Sequence, residues 1–105
     1  MIKVYNKLVR DKIPEIIEKS GAKCKVRVLT DSEYLEMIDK KLDEELKEYH
    51  KDKNLEELAD MLEVIYAATL ARGFTLEELE ATRAMKKETR GGFEEKILLI
   101  ETETK

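Results

Sequence analysis

The chain has 105 residues, of which 42% are hydrophobic and 42% charged, with a net charge of −4. That length fits one domain spanning 1–105, and the near balance of signs excludes the basic footprint that nucleic-acid binding needs. One cysteine excludes an internal disulfide, and one histidine leaves too little material for a His-based zinc site or a Ser-His-Asp triad.

The opening segment, M-I-K-V-Y-N-K-L-V-R-D-K, has no apolar h-region and does not read as a signal peptide. Lys7 and Arg10 lie in it as cations able to reach phosphates. The expected setting is a reducing cytoplasm. A helix is predicted to start near Asp11, with Pro14 tolerated in its first turn and Ser20-Gly21 ending it. Cys24 to Leu29, C-K-V-R-V-L, alternates apolar and basic residues as a strand does.

Thr30-Asp31-Ser32 offers N-caps for a helix running from about Ser32 to about Lys51. Its apolar stripe is Leu35, Ile38, Leu42, Leu46 and Tyr49. Glu45 falls beside Ile38, and Glu48 beside Met37 and Lys41, so both acids border the apolar seam. The polar stretch H-K-D-K-N then reads as a turn. Asn54 caps the next helix, with Glu57 as a capping partner, and Gly73 stops it. After Asp60 this helix is apolar nearly all round, and a central, largely buried position is expected. Its longest apolar stretch, Met61 to Ala71, is too short to span a membrane.

Thr75-Leu-Glu-Glu78 is a capping-box pattern that opens a third long helix, acidic at its start and basic at Lys86, Lys87 and Arg90. Gly91-Gly92 breaks it. Lys96 to Thr102, K-I-L-L-I-E-T, is expected to pair with Cys24–Leu29 as a small two-stranded β ribbon. The fold class is therefore mainly α, a helical bundle with that ribbon beside it.

The chemistry concentrates in two acidic pairs. Glu45 and Glu48, and Glu57 and Asp60, are each spaced i, i+3 and so share a helix side. An antiparallel helix pair joined by a short turn brings the two pairs together. Four converging carboxylates repel one another unless a cation lies between them, and an all-oxygen set suits Mg2+, with Mn2+ as a substitute. Glu63, one turn after Asp60, is a fifth ligand, a water-activating base or the partner of a basic residue. Glu44 and Glu56 rotate away from the pairs. Lys86 and Arg90 beside Gly91-Gly92 are candidates to hold a polyphosphate. There is no G-x-x-x-x-G-K-[ST] and no G-x-G-x-x-G, so no glycine loop holds nucleotide phosphates.

E-E-L-K-E (Glu44 to Glu48) followed by E-L-A-D (Glu57 to Asp60) resembles the E-x-x-E … E-x-x-D signature of the MazG-like all-α nucleoside triphosphate pyrophosphohydrolases. Y-N-K-L-V-R-D-K-I-P and R-G-G-F-E-E-K-I look like a short, phosphoribosyl-ATP pyrophosphohydrolase-like branch of that superfamily. The resemblance implies Mg2+-dependent hydrolysis of a nucleoside triphosphate to the monophosphate and pyrophosphate, in homodimers or homotetramers whose helices complete a four-helix bundle. Carried onto this chain, it implies Glu45, Glu48, Glu57 and Asp60 as metal ligands, with Lys86 and Arg90 facing phosphates. The gap between Glu48 and Glu57 is shorter than in many relatives, which leaves Glu44 or Glu45 as the ligand in the first pair. Glu48 or Glu63 is the expected general base. The rival expectations are true phosphoribosyl-ATP hydrolysis in histidine biosynthesis and a non-enzymatic helical interaction module.

Overall fold

The structure, a computed structural model, describes residues 1–104. Four helices follow one another: α1 (Ile13–Lys19), α2 (Asp31–Asp52), α3 (Leu55–Ala71) and α4 (Leu76–Arg90). Their boundaries follow local chemistry. Pro14 sits in the first turn of α1, and Gly21, at φ 95°, follows its end. Thr30 caps α2 and Thr75 caps α4, each in a full capping box with the glutamate three residues on, Glu33 and Glu78.

Asn54 caps α3 by accepting the Glu57 backbone N–H at 2.9 Å. The Glu57 carboxylate does not reach back to Asn54, so it stays free for other partners. The turn between α2 and α3 is shorter than the polar H-K-D-K-N stretch implies. His50 to Asp52 continue α2, and only Lys53 and Asn54 connect the helices. Lys53 adopts a left-handed conformation (φ 48°), and its N–H donates to the Tyr49 carbonyl at 2.7 Å.

The molecule is organised on the antiparallel α2–α3 hairpin, the most extensive packing between its helices. Ile38 of α2 and Val64 of α3 are its buried hydrophobic residues. Asp39 and Arg72 pair across the far end of the hairpin at 3.1 Å. α4 touches α3 through its first turns, where Leu76 and Leu79 share a shallow groove with Tyr66. From Glu80 to Arg90 it is exposed throughout.

Two expectations are corrected. The β ribbon does not form: among the described residues there is no strand. Val26 and Val28 are exposed, as are Ile97 to Ile100. A lone two-stranded ribbon without a packed face is marginal in water, which accounts for its absence. Second, α3 is not largely buried within one chain. Leu55, Leu58 and Leu62 lie on one stripe of α3, away from α2, and all three are exposed.

The accessible surface is 10063 Å², whereas a compact monomer of this mass exposes about 6,100 Å². The radius of gyration is 18.6 Å, against about 13 Å for a compact chain of this length. Among the described residues, no helix is long and apolar enough to cross a membrane.

Candidate metal centre at the α2–α3 hairpin

The helical period sets the site. Glu45 lies two turns after Ile38, so the seam that buries Ile38 also carries Glu45 inward, and it is 9% exposed. On α3, Glu57 and Asp60 share their sector with Val64, and its burial against α2 turns both acids toward that helix. The short Lys53-Asn54 turn brings Glu45 level with them. One carboxylate oxygen each from Glu45, Glu57 and Asp60 lie within 4.8 Å of one another.

Glu48 does not join that trio. It forms a second group with Asp52 and Glu57, whose oxygens also lie within 4.8 Å of one another. Glu57 belongs to both groups. The expected quartet is thus two overlapping trios along the hairpin, one anchored by buried Glu45 with half-buried Glu57 and Asp60, and one at the more exposed rim. Asp52 lies within H-K-D-K-N, which reads as a turn in sequence but continues α2 in the structure. The i, i+4 spacing from Glu48 was the available signal. Glu44 joins neither group. Between the two candidates in the first pair, the geometry places Glu45 with the α3 acids.

Cations of the chain surround the trios. Lys41 Nζ lies 3.4 Å from both Glu44 Oε2 and Glu45 Oε1. Lys7 Nζ donates to Glu44 Oε1 at 3.0 Å, and Arg10 Nη2 to Asp60 Oδ1 at 2.7 Å. Lys41, with its side chain 16% exposed, is the most buried of the three. Sequence reading missed it, although its i, i+4 relation to Glu45 was legible.

Charge follows position. Glu57 is raised from its ordinary value, first by partial burial and then by the negative charges of Asp60, Glu48, Glu45 and Asp52. At Glu44, burial pulls upward most strongly, but the Lys7 hydrogen bond together with the Lys41 and Lys7 charges outweighs it and lowers the pKa. Lys7 is raised in return, first by its hydrogen bond to Glu44 and then by that residue's charge.

Glu63 is exposed and belongs to neither trio; it borders a groove with Tyr34, Tyr66 and Leu70. Among the described residues, no ion pair or side-chain hydrogen bond ties Lys86 or Arg90 to the acids of the hairpin. Cys24 is half-buried, and burial followed by the nearby Glu18 raises its thiol, which suits packing better than nucleophilic attack.

The donor set fits a small hard cation. Octahedral Mg2+ holds oxygens about 2.1 Å away, so its ligands stand about 3.0–4.2 Å apart. The Glu45–Glu57–Asp60 oxygens lie within 4.8 Å of one another, a limit slightly wider than that span, and all are carboxylate. No family model matches the chain, and no solved structure matches it. An uncharacterized protein of Mycolicibacterium smegmatis (strain ATCC 700084 / mc(2)155) is 54% identical to it over 41 residues. The matched stretch spans 39% of this chain and 42% of that protein.

Proposed function

We propose that this chain is a magnesium-dependent nucleoside triphosphate pyrophosphohydrolase, releasing pyrophosphate and the nucleoside monophosphate in nucleotide-pool house-cleaning. The observation that carries this reading is the trio of buried Glu45 with half-buried Glu57 and Asp60, brought together from two helices. Its support from sequence is the resemblance of E-E-L-K-E and E-L-A-D to the MazG-like signature.

In this reading Glu45, Glu57 and Asp60 hold Mg2+, with Glu48 reaching it from the rim group. The ion, when bound, neutralises polyphosphate charge and acidifies a water. The residues of the chain do the rest. Glu48, exposed beside Asp52 and Glu57, accepts the proton of the attacking water; Glu63 is the second candidate for that role. The water oxygen bonds to phosphorus as the bond to the pyrophosphate oxygen breaks in line. Lys7 and Arg10, already at the acids, hold the phosphates. Lys86 and Arg90 contribute where assembly brings an exposed α4 to an acidic group.

The same reading includes a homodimer or homotetramer. The excess of exposed surface over that of a compact monomer supports it, as does the unpartnered Leu55–Leu58–Leu62 stripe.

A second reading, a non-enzymatic interaction module, is favoured by one observation: Lys7, Arg10 and Lys41 already give the acids cations of their own. Melting with Mg2+ or Mn2+ separates the two readings. A metal centre raises Tm by about 10–20 °C at a hundredfold excess over Kd. The E45Q/D60N variant then shows no response. A flat response in the native chain selects the interaction module.

A further inference from the structure

The N-terminal segment reaches the acidic hairpin through two cations. Arg10 Nη2 donates to Asp60 Oδ1 across 50 residues of sequence, and Lys7 Nζ donates to Glu44 Oε1 across 37. Among the described residues, these are the hydrogen bonds that join residues 1–12 to α2 and α3. The segment has no regular structure until α1 begins at Ile13, and most of its side chains are exposed. Asn6, just before Lys7, holds a left-handed φ of 46°, a bend at the base of the contact.

The two partners differ in kind. Glu44 belongs to neither trio, so Lys7 anchors beside the site. Asp60 is one of the seam trio, so the Arg10 guanidinium lies on a carboxylate that the proposed ion needs. A divalent cation at Glu45, Glu57 and Asp60 meets a fixed positive charge at close range, and the two compete for the same negative oxygens.

We propose that the Lys7–Arg10 segment is an intramolecular latch that exchanges with the divalent cation: ion binding releases Arg10 from Asp60 and frees the segment from the hairpin. The inference rests on the metal-centre reading and deepens it, because the freed Lys7 and Arg10 become available to a polyphosphate only once the cation is in place. The order of events is then cation first and phosphates second.

Two measurements without substrate test it. Calorimetric titration with MnCl2 compares the native chain with K7Q/R10Q, whose helical content is checked by circular dichroism. Removal of two partly exposed competing charges tightens Mn2+ binding by about five- to tenfold. Limited trypsin digestion of the native chain, with a synthetic peptide of residues 1–12 as a control for protease activity, gives faster cleavage after Lys7 and Arg10 at saturating Mn2+. Equal or weaker Mn2+ binding by K7Q/R10Q, or cleavage that Mn2+ leaves unchanged or slows, overturns the latch while the metal centre stands. Absence of Mn2+ binding by both proteins removes the metal centre and the latch with it.

Discussion

Arg10 Nη2 stands 2.7 Å from Asp60 Oδ1, tying a segment outside the helices to the first half of α3. Both side chains keep substantial solvent access, 55% for Arg10 and 40% for Asp60. A pair this exposed contributes about 0–1 kcal/mol to stability, so its weight falls on the electrostatics of the site. D60N is therefore expected to retain the helical circular dichroism and the Tm of the native chain to within a few degrees. Under the proposed function, its pyrophosphate release is expected to fall about 10²- to 10³-fold, on the scale of a lost electrostatic stabiliser. A coupled assay for pyrophosphate reads the loss, and a D60N protein with native turnover excludes Asp60 from catalysis.

Glu57 makes stability depend on pH in an unusual direction. Its folded pKa lies above its unfolded value, so the fold holds its proton more tightly. That contribution is fully present below the unfolded value and is lost as pH rises through the folded one. Without divalent cations, E57Q is expected to remove this loss and to gain stability relative to the native chain as pH climbs out of the carboxylate range. If the acids hold Mg2+ as proposed, the ion competes with the same proton and its affinity is expected to weaken on acidification. Melting curves from pH 4 to 8, with and without Mg2+, measure both effects.

Glu33 has the opposite sign. The Arg27 side chain, followed by the Thr30 backbone and side-chain hydrogen bonds, lowers its pKa from 4.5 to about 2. The stability it adds is present above the unfolded value and disappears as pH falls through the folded one. E33Q removes the capping-box charge at the start of α2, and it is expected to lower Tm at neutral pH while flattening the acid limb below pH 4.5. A native-like acid limb in E33Q contradicts this assignment.

Ile38 is 2% exposed and is the most buried apolar side chain of the hairpin. Its truncation in I38A is expected to cost about 2–5 kcal/mol, since a buried Ile loses both transfer energy and packing. Because Glu45 sits two turns further along the same seam, the proposed Mn2+ affinity is expected to fall alongside stability. Urea denaturation and calorimetry on the same sample test the pairing.

The Leu55, Leu58 and Leu62 stripe is expected to close against another copy. Sedimentation equilibrium then gives a dimer or tetramer mass for the native chain. L58E/L62E shifts it toward 12.3 kDa, the mass of one chain. A native chain that sediments as a monomer at micromolar concentration rules out this use of the stripe.

Much of this architecture was legible in the sequence because helices are specified locally. Thr30, Asn54 and Thr75 fix helix starts by hydrogen bonds that reach three residues ahead, and Gly73 and Gly91 mark the stops. The seam was legible too, since the period that aligns Ile38 with Glu45 also aligns Val64 with Glu57 and Asp60. What failed depended on distant partners. The strand patterns at Cys24–Leu29 and Lys96–Thr102 carry a period of two or an apolar run, but neither finds a face to pack on. The burial expected of α3 came from its composition, and composition does not say which chain supplies the cover. Asp52 and Lys41 are hard to read from sequence for a different reason. Both sit one helical turn from a chosen acid, and their role emerges from neighbours in space.

The two-residue connection between α2 and α3 has a kinetic consequence. Glu45 and Asp60 meet across a span so short that closing it costs little chain entropy, and their encounter needs no remote segment. A hairpin excised from Thr30 to Gly73 carries Glu45, Glu57 and Asp60 together, so this carboxylate cluster is expected to assemble early in folding, ahead of the tails that settle on it.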